Sequence, residues 1–244
     1  MSEWLVVVLQ APLASFADAP GNTTRKTGDM PARSALIGLA AAALGIRRDD
    51  QAGQDALGAA LVTAAAQIRP GTLMTDFHTF QSLNQAAKGA ATRADALRRK
   101  DQVETAITRR DYRTDGMWLG AWRLRTGTLG FALSDLRAAF AAPRFVLSLG
   151  RRACALSHPL DARLIAQDDV REAFASYLAT SHTPSIRTQR PQLYSLEDRA
   201  DARASNQAVL HMRRDDPRDR SIRWSFVERR EYRIVADGDK EALP

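Results

Sequence analysis

Residues 24–50 read TRKTGDMPARSALIGLAAAALGIRRDD, and this stretch decides how the rest of the chain is read. A loop carrying Thr24, Arg25, Lys26 and Arg33 leads into an apolar run whose spacing predicts a helix over Ala32 to Leu44, with Ser34 in its first turn. Pro31 suits the first turn, where a missing N–H costs nothing, and Gly45 suits the left-handed residue that ends a helix. Arg47 and Arg48 follow, then Asp49 and Asp50. A buried helix with basic loops at both ends, its first N–H groups unpaired, is chemically suited to holding phosphate.

Trp4 to Gln10 is a run dominated by β-branched and aliphatic residues, as in a strand covered on both faces. Leu61 to Ile68 and Thr72 to His78 read as strands joined by the turn Arg69-Pro70-Gly71. The segment from Phe77 to Arg110 is poor in large apolar residues and reads as a helical insertion projecting from a hairpin. Tyr112 to Leu124 reads as one long strand, with Tyr112, Trp118 and Trp122 on one face. A second helix over Thr128 to Ala142 carries Leu129, Leu133, Leu136 and Phe140 on one stripe, and Arg144 to Ser148 reads as the next strand. A short helix over Asp168 to Leu178 and strands over Ala208–Arg213 and Arg223–Val235 complete the chain. This order predicts an α+β fold, a ferredoxin-like sheet with helices on one face. Residues 1–150 are expected to form that ferredoxin-like domain, with a thumb-like insertion over about 79–110, and residues 151–244 a small β-rich C-terminal region.

The formal net charge of +7 over 244 residues comes almost wholly from arginine, which binds phosphate bidentately and stacks on bases. The single cysteine, Cys154, excludes an intramolecular disulfide and fits a reducing cytoplasm. No run approaches the roughly 20 apolar residues of a membrane helix, and the N-terminal run reads as a strand rather than a signal peptide. Four scattered histidines and one cysteine match no zinc spacing, so neither metal nor cofactor is expected.

A second cluster lies in PRFVLSLGRRACALSHPL, residues 143–160. Gly150 lets backbone approach a ligand closely, and Arg144, Arg151 and Arg152 beside it supply phosphate contacts. Arg110 and Tyr112, after the insertion, are further candidates. Cys154 has the character of a small packing residue. His78 and His158 are the histidines placed for acid–base work on an RNA 2′-OH.

The spaced residues TR-x-TG-x-x-P-x-RS-x-L-x-G-L, A-x-LGI and RDD of the first stretch resemble the Cas-five family of CRISPR-associated RAMP proteins. So do Pro143, Arg144, Leu149, Gly150, Arg151, Arg152, Cys154, His158 and Pro159 of the second. The resemblance covers most of the first 160 residues, with a fainter echo over Phe226 to Val235. It departs at Phe16-Ala17 and at Ser148, where the family often has an aromatic residue. It implies a non-catalytic subunit of a type I-E Cascade-like surveillance complex. That subunit holds the 5′ handle of the CRISPR RNA, caps the filament of CasC-like backbone subunits, docks the CasA-like large subunit and so meets target DNA indirectly. It also leaves one alternative, a metal-independent endoribonuclease acting on CRISPR precursor RNA, for which His78, Tyr112 and Lys26 are the available set.

Overall fold

A computed structural model describes residues 2–16, 23–84, 89–99, 103–128, 130–202, 208–219 and 225–236. In chain order the strands are β1 (Glu3–Gln10), β2 (Leu13–Ala14), β3 (Thr24–Arg25), β4 (Leu61–Arg69), β5 (Thr72–Leu83), β6 (Val103–Thr114), β7 (Met117–Leu124), β8 (Arg163–Ala166), β9 (Leu193–Leu196), β10 (Val209–Asp219) and β11 (Ser225–Val235). The helices are α1 (Arg33–Leu44), α2 (Gln51–Ala60), α3 (Arg93–Arg98), α4 (Leu133–Ala141), α5 (Val170–Ala179), α6 (Pro184–Arg187) and α7 (Arg199–Ala202).

Side chains on a strand alternate between faces, so the apolar run of β1 must feed two cores. Leu5, Val7 and Leu9 pack with Leu36, Leu39 and Ala40 of α1 and with Leu136 and Phe140 of α4. Trp4, Val6 and Val8 enter a second core with Val170, Phe174, Tyr177 and Leu178 of α5. The expectation of helices on one face is therefore corrected. Strand β4 is also apolar on both sides, with Leu61 and Ala65 in the first core and Val62, Ala64 and Ala66 in the second, so the second face needs its own helix.

Among the described residues, seven strands form one antiparallel sheet in the order β10–β11–β9–β4–β7–β1–β8. Leu5 stands opposite Trp122 and Leu9 opposite Trp118 in the β1–β7 register, and both rings are buried in the first core, where Trp122 Nε1 donates to the Leu36 carbonyl of α1 at 3.3 Å. Strands β8, β9, β10 and β11 belong to this same sheet, so a boundary at residue 150 runs through it. A smaller sheet joins β2, β3, β5 and β6, with the twelve-residue β5 paired along β6 from Thr72↔Thr114 to Leu83↔Val103.

Three further readings are corrected. The strand expected over Tyr112 to Leu124 breaks at Asp115, whose φ of 55° turns the chain from the smaller sheet into the larger. Tyr112 and Trp118 therefore lie in different sheets. The insertion is strand over more of its length than expected, since the hairpin continues to Leu83 and Val103, with α3 as the helix among its described residues. Arg144 to Ser148 is not a strand. The N–H groups of Arg144 and Phe145 donate to the carbonyls of Ala43 and Ala42 at 3.0 and 3.1 Å, so the segment satisfies the end of α1, and the sheet position falls to β8. Helix α4 starts at Leu133, later than expected, where the Asp135 carboxylate accepts the Ala132 N–H at 3.2 Å; Leu129 lies outside the described residues.

Candidate nucleic-acid interface

Helix α1 ends as its sequence dictates: Gly45 has φ of 80°, and its N–H bonds back to the last turn. A side chain there would collide with Arg144, whose Cγ lies 3.0 Å from the position of a Cβ. The two basic stretches, far apart in sequence, are thus packed against each other. Between them runs a groove of about 1040 Å³. Its floor is the face of α1 bearing Ile37, Gly38 and Ala41, and its rim carries Arg33, Ser34, Arg47, Arg48 and Arg152. Phe145, Val146, Ser148 and Gly150 form one wall, and Phe226 of β11 reaches in from another. The start of α1 has Ala32 as its cap, with no side-chain acceptor and no acidic residue in the first turn. Arginine rim, apolar floor and aromatic wall are what a single strand of nucleic acid needs for its phosphates and its bases.

The turn after Phe145 is held by backbone. Gly150 has φ of 94°, and a Cβ there would lie 1.8 Å from the Ser15 carbonyl oxygen. The Ser15 N–H donates to the Leu149 carbonyl at 2.9 Å, which laces the turn to the chain leaving β1. Arg151 points away from the groove. Its guanidinium lies 4.6 Å from the centre of the Tyr112 ring, and it donates to the carbonyls of Asp111 and Arg25, each at 3.0 Å. Arg151 is therefore a brace across β3 and β6, whereas exposed Arg152 faces the groove. Cys154 is fully buried; burial pushes its thiol up, and the Arg151 charge and backbone only partly oppose this. Its N–H donates to the Arg151 carbonyl, and its own carbonyl accepts from Leu149, so it closes the turn. His158 sits beside Gln10, with Nε2 3.2 Å from Oε1, and its Nδ1 lies 2.9 Å from the Pro159 carbonyl oxygen.

The remaining candidates divide. Thr24 and Arg25 pair with Arg109 and Arg110 in parallel, so Arg25, Lys26 and Arg110 gather at the base of the hairpin, one step from the Arg151 brace. The Arg110 Nε is buried and makes no hydrogen bond among the described residues. Arg33 is largely committed inside the protein, with its Nε 3.0 Å from Glu197 Oε2 and its Nη2 donating to the Gly58 carbonyl at 2.6 Å. Arg47 pairs with Asp49 at 3.3 Å on the surface. His78 lies exposed on β5 opposite Thr108, while buried Tyr112 pairs with Met74. Four residues along a strand are about 13 Å, so His78 and Tyr112 are held apart, and Tyr112 is covered by Arg151.

Sequence reasoning misses Phe145 and Val146, which are 46% and 88% exposed beside the arginines. Reading them as strand places them in the core; two consecutive apolar residues between Arg144 and a Gly-Arg-Arg turn are the available signal. Phe226 carries only a faint echo in sequence, because nothing local places β11 near α1.

The family described as CRISPR-associated protein (Cas_Cas5) matches this chain over residues 4–233. The chain belongs to that family. It is 30% identical over 186 residues to the CRISPR system Cascade subunit CasD of Escherichia coli (strain K12), a match covering 72% of this chain and 78% of that protein. Its fold resembles a chain of a CRISPR RNA-guided surveillance complex, with a TM-score of 0.65 at 23% identity over 96% of this chain and 90% of the other. A second solved structure, of a Cas protein, aligns with a TM-score of 0.56 at 23% identity over 94% of both chains. In this member of the family, residues of the 24–50 stretch and of the 143–160 stretch line one groove. Among the described residues no helix is long and apolar enough to cross a membrane, and no group of three His, Cys, Asp or Glu side chains could hold a metal ion.

Proposed function

We propose that this chain is a non-catalytic, RNA-binding subunit of a cytoplasmic Cascade-like surveillance complex, and that its arginine-rimmed groove holds the 5′ handle of the guide RNA. The observation that carries this reading is the convergence of the Arg47–Arg48 loop and the Gly150–Arg152 turn on one groove beside α1. Phosphates take the guanidinium groups, and splayed bases take the apolar floor and the Phe145 wall; this needs no general base. Relatedness to the E. coli subunit CasD supports membership of a Cascade assembly.

The long β5–β6 hairpin serves in this reading as the thumb toward a CasC-like backbone subunit, with the CasA-like large subunit docking nearby and target DNA reached through it. The exposed Leu73, Phe77 and Ile107 on the hairpin suit a protein neighbour. The order β8–β1–β7–β4, with α1 between β1 and β4 and α4 between β7 and β8, supports a ferredoxin-like core in which the fourth, first, third and second strands lie side by side.

The test is affinity for labelled single-stranded RNA carrying the repeat-derived 5′ end, at several salt concentrations. Arg48→Ala/Arg152→Ala should lower the slope of log K against log salt by about 1.4, at ~0.7 for each phosphate contact removed. Equal affinity and equal slope in the two proteins would refute the groove. Incubation of the purified chain with repeat RNA in EDTA should leave the RNA intact; a discrete product that disappears in His78→Ala would instead establish the nuclease.

A further inference from the structure

We propose that Gln54 is a specificity-determining residue of the groove, accepting a hydrogen bond from the exocyclic amino group of an RNA base; this rests on the groove reading above. Gln54 lies half-buried in the first turn of α2 and lines the groove beside Arg48 and Asp49. Its backbone N–H donates to the Asp50 carbonyl at 3.0 Å, and the Asp50 carboxylate caps the helix by accepting the Gly53 N–H at 2.9 Å. Its side-chain Nε2 donates to the Arg47 carbonyl at 3.2 Å. Backbone and amide are thus both fixed to the turn that joins α1 to α2.

A carbonyl oxygen can only accept, so the Arg47 carbonyl decides which end of the amide faces it. The nitrogen turns toward the backbone and Oε1 turns away. Among the described residues Oε1 has no hydrogen-bond partner. A residue lining the groove therefore holds an acceptor in one orientation, with little rotamer freedom left to lose on binding. Phosphate oxygens are themselves acceptors and cannot use it, whereas a base edge with N–H groups can. Asp49 adds to the same preference. Its carboxylate lines the groove and accepts from Arg47 Nε at 3.3 Å, so this end of the groove attracts N–H donors and repels phosphate. Adenine, cytosine and guanine each carry an exocyclic amino group and uracil carries none, so the bases divide on this one contact. The arginines fix where the RNA backbone lies, and Gln54 selects the base placed at the α1–α2 turn.

The experiment titrates the full chain with labelled RNA carrying the repeat-derived 5′ end, from which amino groups are deleted one position at a time. Purine riboside replaces adenosine, inosine replaces guanosine and pyrimidin-2-one riboside replaces cytidine; each keeps the ring and its stacking face. At one position the deletion should weaken binding to the wild type about fivefold, the worth of one neutral hydrogen bond. In Gln54→Ala the same deletion should change nothing, and the parent RNA should bind more weakly by that same factor. The Asp50 N–H still donates to the Arg47 carbonyl at 3.2 Å, so the turn keeps a bond that the substitution does not touch. Gln54→Leu, of similar bulk without the amide, should behave as Gln54→Ala does. A Gln54 that only clamps the turn predicts equal weakening for every RNA, with each ratio as in the wild type. That result, or a wild type indifferent to every deletion, overturns the proposal. Should Arg48→Ala/Arg152→Ala weaken binding while no deletion does, base selection fails and the groove stands. Should Arg48→Ala/Arg152→Ala also bind as the wild type does, the groove reading itself fails.

Discussion

The guanidinium of Arg151 lies over the Tyr112 ring at 4.6 Å, while the next residue, Arg152, faces the groove on the other side of the turn. Two adjacent arginines of one motif thus do different work. Removal of Arg151 should cost about 2–3 kcal/mol of stability, through two hydrogen bonds and the ring contact. Removal of Arg152 should cost less than about 0.5 kcal/mol but weaken RNA binding. Denaturant unfolding of Arg151→Ala and Arg152→Ala, each paired with an RNA titration, separates them; equal stabilities would dissolve the distinction.

Glycine substitutions give a second contrast. Gly150→Ala places a methyl group against the Ser15 carbonyl in a left-handed backbone, and should lose roughly 2 kcal/mol or more and disturb the turn. Gly38 lies inside α1 with nothing within 4 Å of where a methyl group would sit, so Gly38→Ala should stabilise the helix by about 1 kcal/mol while narrowing the groove floor. Thermal midpoints moving in the same direction for both would contradict this.

The second core is the structural reason for α5. Phe174 is completely buried there, and Phe174→Ala should destabilise by about 3–5 kcal/mol. Phe145→Ala, at a residue 46% exposed, should leave stability within about 0.5 kcal/mol and lower affinity for RNA by removing a base contact. Urea midpoints measure the first and RNA binding the second.

Glu231 supplies the pH dependence. It is 2% exposed on β11, where burial alone would raise its pKa, but the Arg233 hydrogen bond and the charges of Arg229, Arg233 and Arg213 hold it below the usual carboxylate range. As pH falls the unfolded chain takes up the proton first. The stabilisation is therefore complete above the ordinary range and is lost as pH drops through the folded pKa. Glu231→Gln should lose about 3 kcal/mol near pH 7, and its deficit against the wild type should shrink below about pH 4. Unfolding free energies measured from pH 7 to pH 3 give the answer, and a constant deficit would be the wrong one.

Much of the fold is legible where a local pattern has one solution. The run from Trp4 to Leu9 admits only a strand buried on both sides, and it lies at the centre of the two cores. Gly45 stops α1 where an αL residue is expected, and β4 and the start of β5 flank the expected turn. The readings fail where an apolar residue has more than one partner available. Phe145 and Val146 look like strand residues, but the unpaired carbonyls at the end of α1 are nearer to hand than a sheet edge. Trp118 and Tyr112 share a period of two, which cannot register the left-handed residue Asp115 between them.

The residue types of the groove and its positive charge are legible in the chain alone, in the stretches 24–50 and 143–160. Which arginines face the groove follows only from long-range packing. A guanidinium adjacent to a glycine reads the same in sequence whether it meets solvent, as Arg152 does, or lies across an aromatic ring, as Arg151 does. Arg33 is equally ambiguous until Glu197, from far along the chain, comes to rest against it. Charge in sequence is a local property, but the availability of a charge depends on which neighbours the fold delivers, and those neighbours come from β6, β9 and the turn after Phe145.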